Sequence, residues 1–139
     1  SRRRTRIALI AGSERTLFDF GDFTSHSGVP LGWKIDCDAL SHADLKCLAM
    51  VGKMVVGKFG KVVGIPEGGT RFATFMRSLT DKDSRRTLVV DDVLTTGKSM
   101  RAALEREDVD AIGLVIFARG PCPRRVQAIF TLALAAGLT

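Results

Sequence analysis

The sequence predicts an α/β fold, a three-layer sandwich with a central, mostly parallel sheet. Three observations carry that reading. Short apolar runs at residues 61–66, 88–90 and 111–118 are almost unbroken by polar residues, as strands buried on both faces are. Segments with helical spacing separate these runs, which is the alternation of a parallel sheet with crossover helices. Two of the runs, ending at Ile65 and Val90, lead through turn-forming residues into a helix. In such sheets ligands bind beyond the carboxyl ends of the strands.

The chain has 139 residues, the size of one domain, and residues 1–139 are expected to form a single unit. Hydrophobic residues make up 45% and charged residues 26%, enough apolar material for a core without disulfide or metal staples. Cys37, Cys47 and Cys122 are odd in number and lack CxxC spacing, so they read as structural thiols of a reducing compartment. His26 and His42 are too few and too scattered for a metal cage. No apolar run approaches the roughly 18 residues of a membrane span. The basic start, Ser1-Arg-Arg-Arg-Thr-Arg6, precedes too short an apolar stretch for a signal peptide. A cytoplasmic protein with no membrane partner is the expectation. The net charge of +6 suits an anionic partner, a polyphosphate metabolite or a nucleic acid. With one Trp and no Tyr a single-strand stacking platform is disfavoured, and the N-terminal cluster reads as a solvated terminus rather than a nucleic-acid arm.

Taken in order, residues 7–20 have mixed helical spacing broken at Gly12 and predict one or two short helices. Residues 21–32 are loop-like, rich in Ser, Gly and Pro, and residues 33–37 alternate as a short strand would. Ser41, with Asp44 three residues on, resembles a capping box. A helix follows through Leu45, Leu48, Ala49, Val51, Gly52 and Val55 to about Lys58, with Gly60 as its stop. The strand at 61–66 breaks at Pro66-Glu-Gly-Gly69, and a helix through Phe72, Phe75, Met76 and Leu79 comes next. Residues 80–86 are a polar, exposed connection. The strand 88–90, the pair Asp91-Asp92 and a helix over residues 97–106 follow. Residues 111–118 form another buried strand, 119–125 a loop, and 126–134 a strand running into a short helical end.

The chemistry gathers at Asp91 and Asp92. Adjacent carboxylates at a strand end repel each other and are tolerated where they face a cation, a sugar diol or water. Alone, such a pair more often caps a turn. Here Thr95, Thr96 and Ser99 add hydroxyls, Gly97 allows close backbone approach, and a helix start supplies unpaired N–H groups. The whole makes a monophosphate nest beside a diol-binding pair. Gly97-Lys98-Ser99 is not a Walker A loop, because Asp92 stands where that motif needs glycine. A phospho-receiver is excluded as well, since its acidic pair follows the first strand and too little chain remains downstream here.

The segment Val89-Val90-Asp91-Asp92-Val93-Leu94-Thr95-Thr96-Gly97-Lys98-Ser99 resembles the signature of the type I phosphoribosyltransferases. The resemblance implies that Asp91 and Asp92 hold the ribose hydroxyls of 5-phosphoribosyl-1-diphosphate (PRPP), and that Thr95, Thr96, Gly97, Lys98 and Ser99 cradle its 5-phosphate. Phe23-Thr24-Ser25-His26-Ser27-Gly28 is similar to the Phe-Thr-Leu-Lys-Ser-Gly loop of the orotate branch. Pro66, Glu67, Gly68 and Gly69, with Arg71, sit where the family binds diphosphate, and small residues there let backbone N–H groups approach. Arg119 aligns with the arginine that reads the orotate carboxylate, and His26 and Lys34 are the other expected base contacts. The family also implies Mg2+, held mainly through PRPP and by no protein ligand beyond Asp91 and Asp92, and a homodimer.

Three departures stand out. His26 replaces the loop lysine, and the diphosphate loop lacks its usual lysine, with Arg71 nearby. The strand and long mobile hood that the family carries before the acidic strand are reduced to residues 80–86, too short for a lid; Lys82, Arg85 and Arg86 offer charge there but no cover. Two functions therefore follow from the sequence. One is Mg2+-dependent transfer of 5-phosphoribose from PRPP to an orotate-like base with release of diphosphate. The other is a non-catalytic module that binds PRPP or a nucleotide.

Overall fold

The computed structural model describes residues 16–24 and 30–132. Two compact units divide at Ser41. In the first, β1 (Phe18–Thr24) pairs antiparallel with β2 (Pro30–Ile35), with a register irregularity between Phe20 and Phe23. A 3-10 turn over Cys37–Ala39 follows, opened by the Asp36 carboxylate accepting from the Asp38 N–H at 3.1 Å. This corrects two expectations. Residues 18–20 are strand rather than helix, and residues 21–32 contain the end of β1 and the start of β2 rather than loop alone. Phe18, Phe20 and Phe23 favour an extended chain, which short-range helical spacing concealed. The helices expected over residues 7–15 lie outside the described residues.

The second unit carries a four-stranded parallel sheet in the order β3-β4-β5-β6, made of Lys61–Gly64, Thr87–Leu94, Ile112–Ala118 and Val126–Thr131. Three helices join it: α1 (His42–Val56), α2 (Gly69–Arg77) and α3 (Lys98–Glu105). α1 and α2 pack on one face and α3 on the other, which is the predicted three-layer arrangement. Strand alternation divides the core. Val89 and Val115 join Met100, Ala103 and Leu104 of α3, while Leu114 lies beside Gly52 of α1 and Met76 of α2.

Details differ from the sequence reading. α1 ends at Val56, because Gly57 takes φ +78° and its N–H turns back to the Lys53 carbonyl at 2.9 Å. That left-handed glycine ends the helix three residues before the predicted Gly60. β4 continues through the acidic pair to Leu94, since Asp91, Val93 and Leu94 pair with Val115, Phe117 and Ala118. Residues 119–125 cross back without a helix, and Cys122 packs on the α3 core. The three cysteines are unbridged. β6 stops at Thr131, and Leu132 is not helical. Among the described residues no helix is long and apolar enough to cross a membrane.

The connection at 80–86 is tied down, not loose. The Asp81 carboxylate accepts from Lys53 Nζ and from the Phe59 N–H, and the Asp81 N–H donates to the Phe59 carbonyl at 2.7 Å. The Arg86 guanidinium donates to the Val56 and Lys58 carbonyls at 2.9 and 2.7 Å, closing the open end of α1. These residues lie at the N-terminal ends of β3 and β4, because Lys61 pairs with Thr87. The β4 residues Thr87 to Val90 separate them from Asp91.

Candidate functional site

β3 leaves the sheet after Gly64, and the Ile65 N–H makes the last bond, to the Val90 carbonyl at 2.9 Å. Beyond that point β4 runs on alone on this side, and the turn Pro66 to Gly69 fills the space beside it. The Pro66–Glu67 peptide is cis. The Gly69 N–H returns to the Ile65 carbonyl at 2.8 Å and opens α2. Both glycines are required by contact. A Cβ on Gly68 would lie 2.6 Å from Asp92 Oδ1, and one on Gly69 would lie 2.5 Å from the Val90 carbonyl oxygen. The turn expected to hold diphosphate is thus pressed against the pair expected to hold ribose.

The pair itself is strained electrostatically. The Asp91 carboxyl is pushed from the ordinary 3.8 up to about 8, first by burial and then by a hydrogen bond to, and repulsion from, the Asp92 carboxylate. Each also folds onto the chain: Asp91 Oδ1 accepts from the Asp92 N–H at 2.8 Å, and Asp92 Oδ1 accepts from the Val93 N–H at 2.7 Å. A buried, mutually repelling acidic pair of this kind suits a cation or a diol. Among the described residues no third His, Cys, Asp or Glu joins it to complete a metal cage. The oxygen donors fit Mg2+, which takes few protein ligands and keeps water or substrate oxygens.

After Leu94 the chain turns through Thr95 and Thr96, both exposed, to Gly97 at φ +81°. That glycine caps α3 from the left-handed region, with no side-chain cap. Thr96 Oγ1 accepts from the Lys98 N–H at 3.4 Å, and Lys98 and Ser99 are exposed in the first turn. Pro123 closes the far side, 3.4 Å from where a Gly97 Cβ would stand. Arg101 also belongs here: its guanidinium reaches the Thr96 carbonyl at 3.5 Å. Sequence reasoning passed over it, although its place one helical turn after Gly97 puts it above the turn.

On the other side of β4, the Arg119 N–H donates to the Leu94 carbonyl at 2.9 Å. Arg119 therefore stands one strand away from the turn at Thr95 to Ser99, and partial burial lowers its pKa. Arg71 lies in the first turn of α2, half-buried. Asp91, Asp92, Pro66 to Gly69, Arg71, Thr95 to Ser99 and Arg119 thus share the C-terminal edge of one sheet. Lys34 lies in β2 opposite Asp19 in the other unit, where only its backbone place is described. His26 lies outside the described residues.

No family model and no curated protein sequence matches the chain. Solved structures do. Orotate phosphoribosyltransferase from Aeropyrum pernix superposes with a TM-score of 0.66 at 21% identity, over 91% of this chain and 92% of that one. The Mycobacterium tuberculosis H37Rv orotate phosphoribosyltransferase, solved with inorganic phosphate, gives 0.60 at 17% identity, over 94% and 96%. The Francisella tularensis orotate phosphoribosyltransferase gives 0.54 at 15% identity, over 91% and 84%. The chain has the type I phosphoribosyltransferase fold.

Proposed function

We propose that the protein transfers 5-phosphoribose from PRPP to a nitrogenous base, with an orotate-like pyrimidine as acceptor. One observation carries the reading: the glycine turn at Gly68 is pressed against the Asp92 carboxylate, beside a left-handed, phosphate-ready turn at Gly97. Few ligands besides a sugar bearing phosphate on one side and diphosphate on the other would need all three parts.

In this reaction the bond from the anomeric carbon to diphosphate breaks, a ring nitrogen of the base bonds to that carbon, and the nitrogen's proton passes to solvent. Positive charge develops on the ribose ring. Asp91 and Asp92 lie on the ribose side, hold its hydroxyls and favour that charge. The N–H groups of the turn after Gly97 hold the 5-phosphate, and those around Gly68 and Gly69 hold the diphosphate. Arg119 would pair with the carboxylate of an orotate-like base. Mg2+, when bound, would offset charge on the departing diphosphate, with Asp91 and Asp92 the carboxylates within its reach. Positioning and electrostatics supply the rate.

The position of residues 80–86 favours a second reading. They sit at the N-terminal end of β4 and cannot cover the site, so a module that binds PRPP or a nucleotide without turnover is the alternative. Diphosphate release from PRPP and Mg2+, with orotate, uracil, hypoxanthine or adenine, separates the two. Release with orotate supports transfer. PRPP binding with no release on any base leaves only the binding module, and normal PRPP binding by Asp91→Asn/Asp92→Asn would remove both.

A further inference from the structure

Arg101 lies one helical turn into α3 and bonds two carbonyls of the turn before it. Its N–H donates to the Gly97 carbonyl at 2.9 Å. Its guanidinium Nη2 reaches the Thr96 carbonyl at 3.5 Å and stands 3.6 Å from where a Gly97 Cβ would be. The side chain is thus folded back over the turn, although among the described residues no carboxylate pairs with it. An exposed contact of that length adds little to stability. It does fix a direction. The Thr96–Gly97 peptide is trans, and a planar trans peptide sends its C=O and its N–H opposite ways. A carbonyl held toward Arg101 therefore sends the Gly97 N–H away from Arg101. Gly97, at φ +81° and ψ 2°, has the angles of the third residue of a type II turn. Turning that one peptide over would give the type I form and reverse its N–H.

We infer that Arg101 is a positioning residue of this turn: by holding the Thr96 carbonyl it keeps the Gly97 N–H aimed at a bound phosphate. The inference rests on residues 95–99 being the 5-phosphate site. Few donors are left there for that phosphate. Thr96 Oγ1 already takes the Lys98 N–H at 3.4 Å. The N–H groups of Gly97, Ser99 and Met100 meet no acceptor among the described residues, as the first donors of a helix do until a ligand arrives. Misdirecting the Gly97 N–H removes one charge-assisted hydrogen bond to phosphate, about tenfold in affinity. A guanidinium suits the task, because its planar fork holds a fixed direction that a flexible ammonium does not.

Calorimetric titration of the full chain with ribose 5-phosphate is the first test, on the wild type, Arg101→Met and Arg101→Lys. Arg101→Met should bind about tenfold more weakly at an unchanged melting temperature, and Arg101→Lys should recover part of the loss. The loss should persist at about 0.5 M salt, where a charge acting at a distance is screened. Amide resonances of the nitrogen-labelled protein give the second test. Ribose 5-phosphate should shift Gly97 and Ser99 together in the wild type, and Ser99 alone in Arg101→Met at saturating ligand. Wild-type affinity in Arg101→Met, a lowered melting temperature, a loss that vanishes at high salt, or a Gly97 shift retained in the variant would each overturn the role of Arg101 and leave the phosphate site standing. A wild type that binds no ribose 5-phosphate would overturn the site, and the role of Arg101 with it.

Discussion

At the N-terminal end of the sheet, Lys53 reaches Asp81, Lys58 reaches Asp83, and Arg86 covers the carbonyls that end α1. At the C-terminal end, Asp91 and Asp92 face each other, and Asp91 is pushed up to about 8. The same sheet thus settles its charges at one edge and leaves them opposed at the other. A buried acidic pair that can ionise fully only at the expense of stability persists where something else is gained from it. On the proposed function, the difference separates the edge that serves the fold from the edge that takes a ligand.

Glycine substitutions break this comparison most sharply. Gly69→Ala drives a methyl into the Val90 carbonyl and Gly68→Ala drives one into the Asp92 carboxylate. Gly69→Ala is expected to destabilise by about 1–3 kcal/mol, as overpacking does. Gly68→Ala displaces a short side chain in the site and should weaken PRPP binding on the order of 100-fold. At the opposite edge, a Cβ on Gly60 would fall on the Ser84 carbonyl. Gly60→Ala should lower the melting temperature while the folded protein binds PRPP as before. Calorimetric titration alongside thermal melts checks all three. Equal loss of binding in Gly60→Ala and Gly68→Ala would mean that the two edges are not distinct.

The acidic pair makes the next largest effect. Between pH 3.8 and about 8 the folded state keeps a proton on Asp91 that the unfolded chain releases. Stability of the unliganded protein therefore falls as pH rises through that window. Allowing for solvent screening, the total is up to about 3 kcal/mol. Asp91→Asn removes the charge and should flatten the slope while abolishing PRPP binding. Denaturant melts at a series of pH values measure it, and an equal slope in the variant would assign the effect elsewhere.

How far the sequence revealed this molecule depended on the range of the forces involved. The strands at 61–64, 87–90 and 112–118 were legible because burial on both faces leaves continuous apolar runs. The acidic pair and the turn after it were legible because their chemistry is contiguous in sequence. β1 and the start of β2 were missed while residues 33–35 of β2 were legible, since antiparallel pairing depends on the partner strand more than on local pattern. The end of α1 was misplaced because two glycines, Gly57 and Gly60, competed, and only the backbone shows that Gly57 takes the positive φ. Arg101 went unnoticed because its contact with Thr96 exists only once the turn has formed. The contact of Gly68 with Asp92 joins residues 24 positions apart, beyond any local pattern.

The smallest expected effects lie at the charge-settled edge, and they run with the opposite sign. The Asp81 carboxyl is held below 3.8, first by its hydrogen bond to Lys53 and also by the Phe59 N–H. Lys53 is itself fixed, standing 4.5 Å over the Phe59 ring. A depressed carboxyl contributes stability above the unfolded pKa and loses it as pH falls through the folded one. Asp81→Asn should therefore lower the melting temperature at neutral pH, and the gap from wild type should close well below pH 3.8. Lys58 and Asp83, each 66% exposed, form a pair screened by water, and Asp83→Asn should leave the melting temperature unchanged. Melts of both variants across acid pH, beside those of Asp91→Asn, would show one edge losing stability as pH falls and the other as pH rises. If Asp81→Asn and Asp91→Asn shifted with pH in the same direction, the contrast between a settled edge and a poised one would be lost.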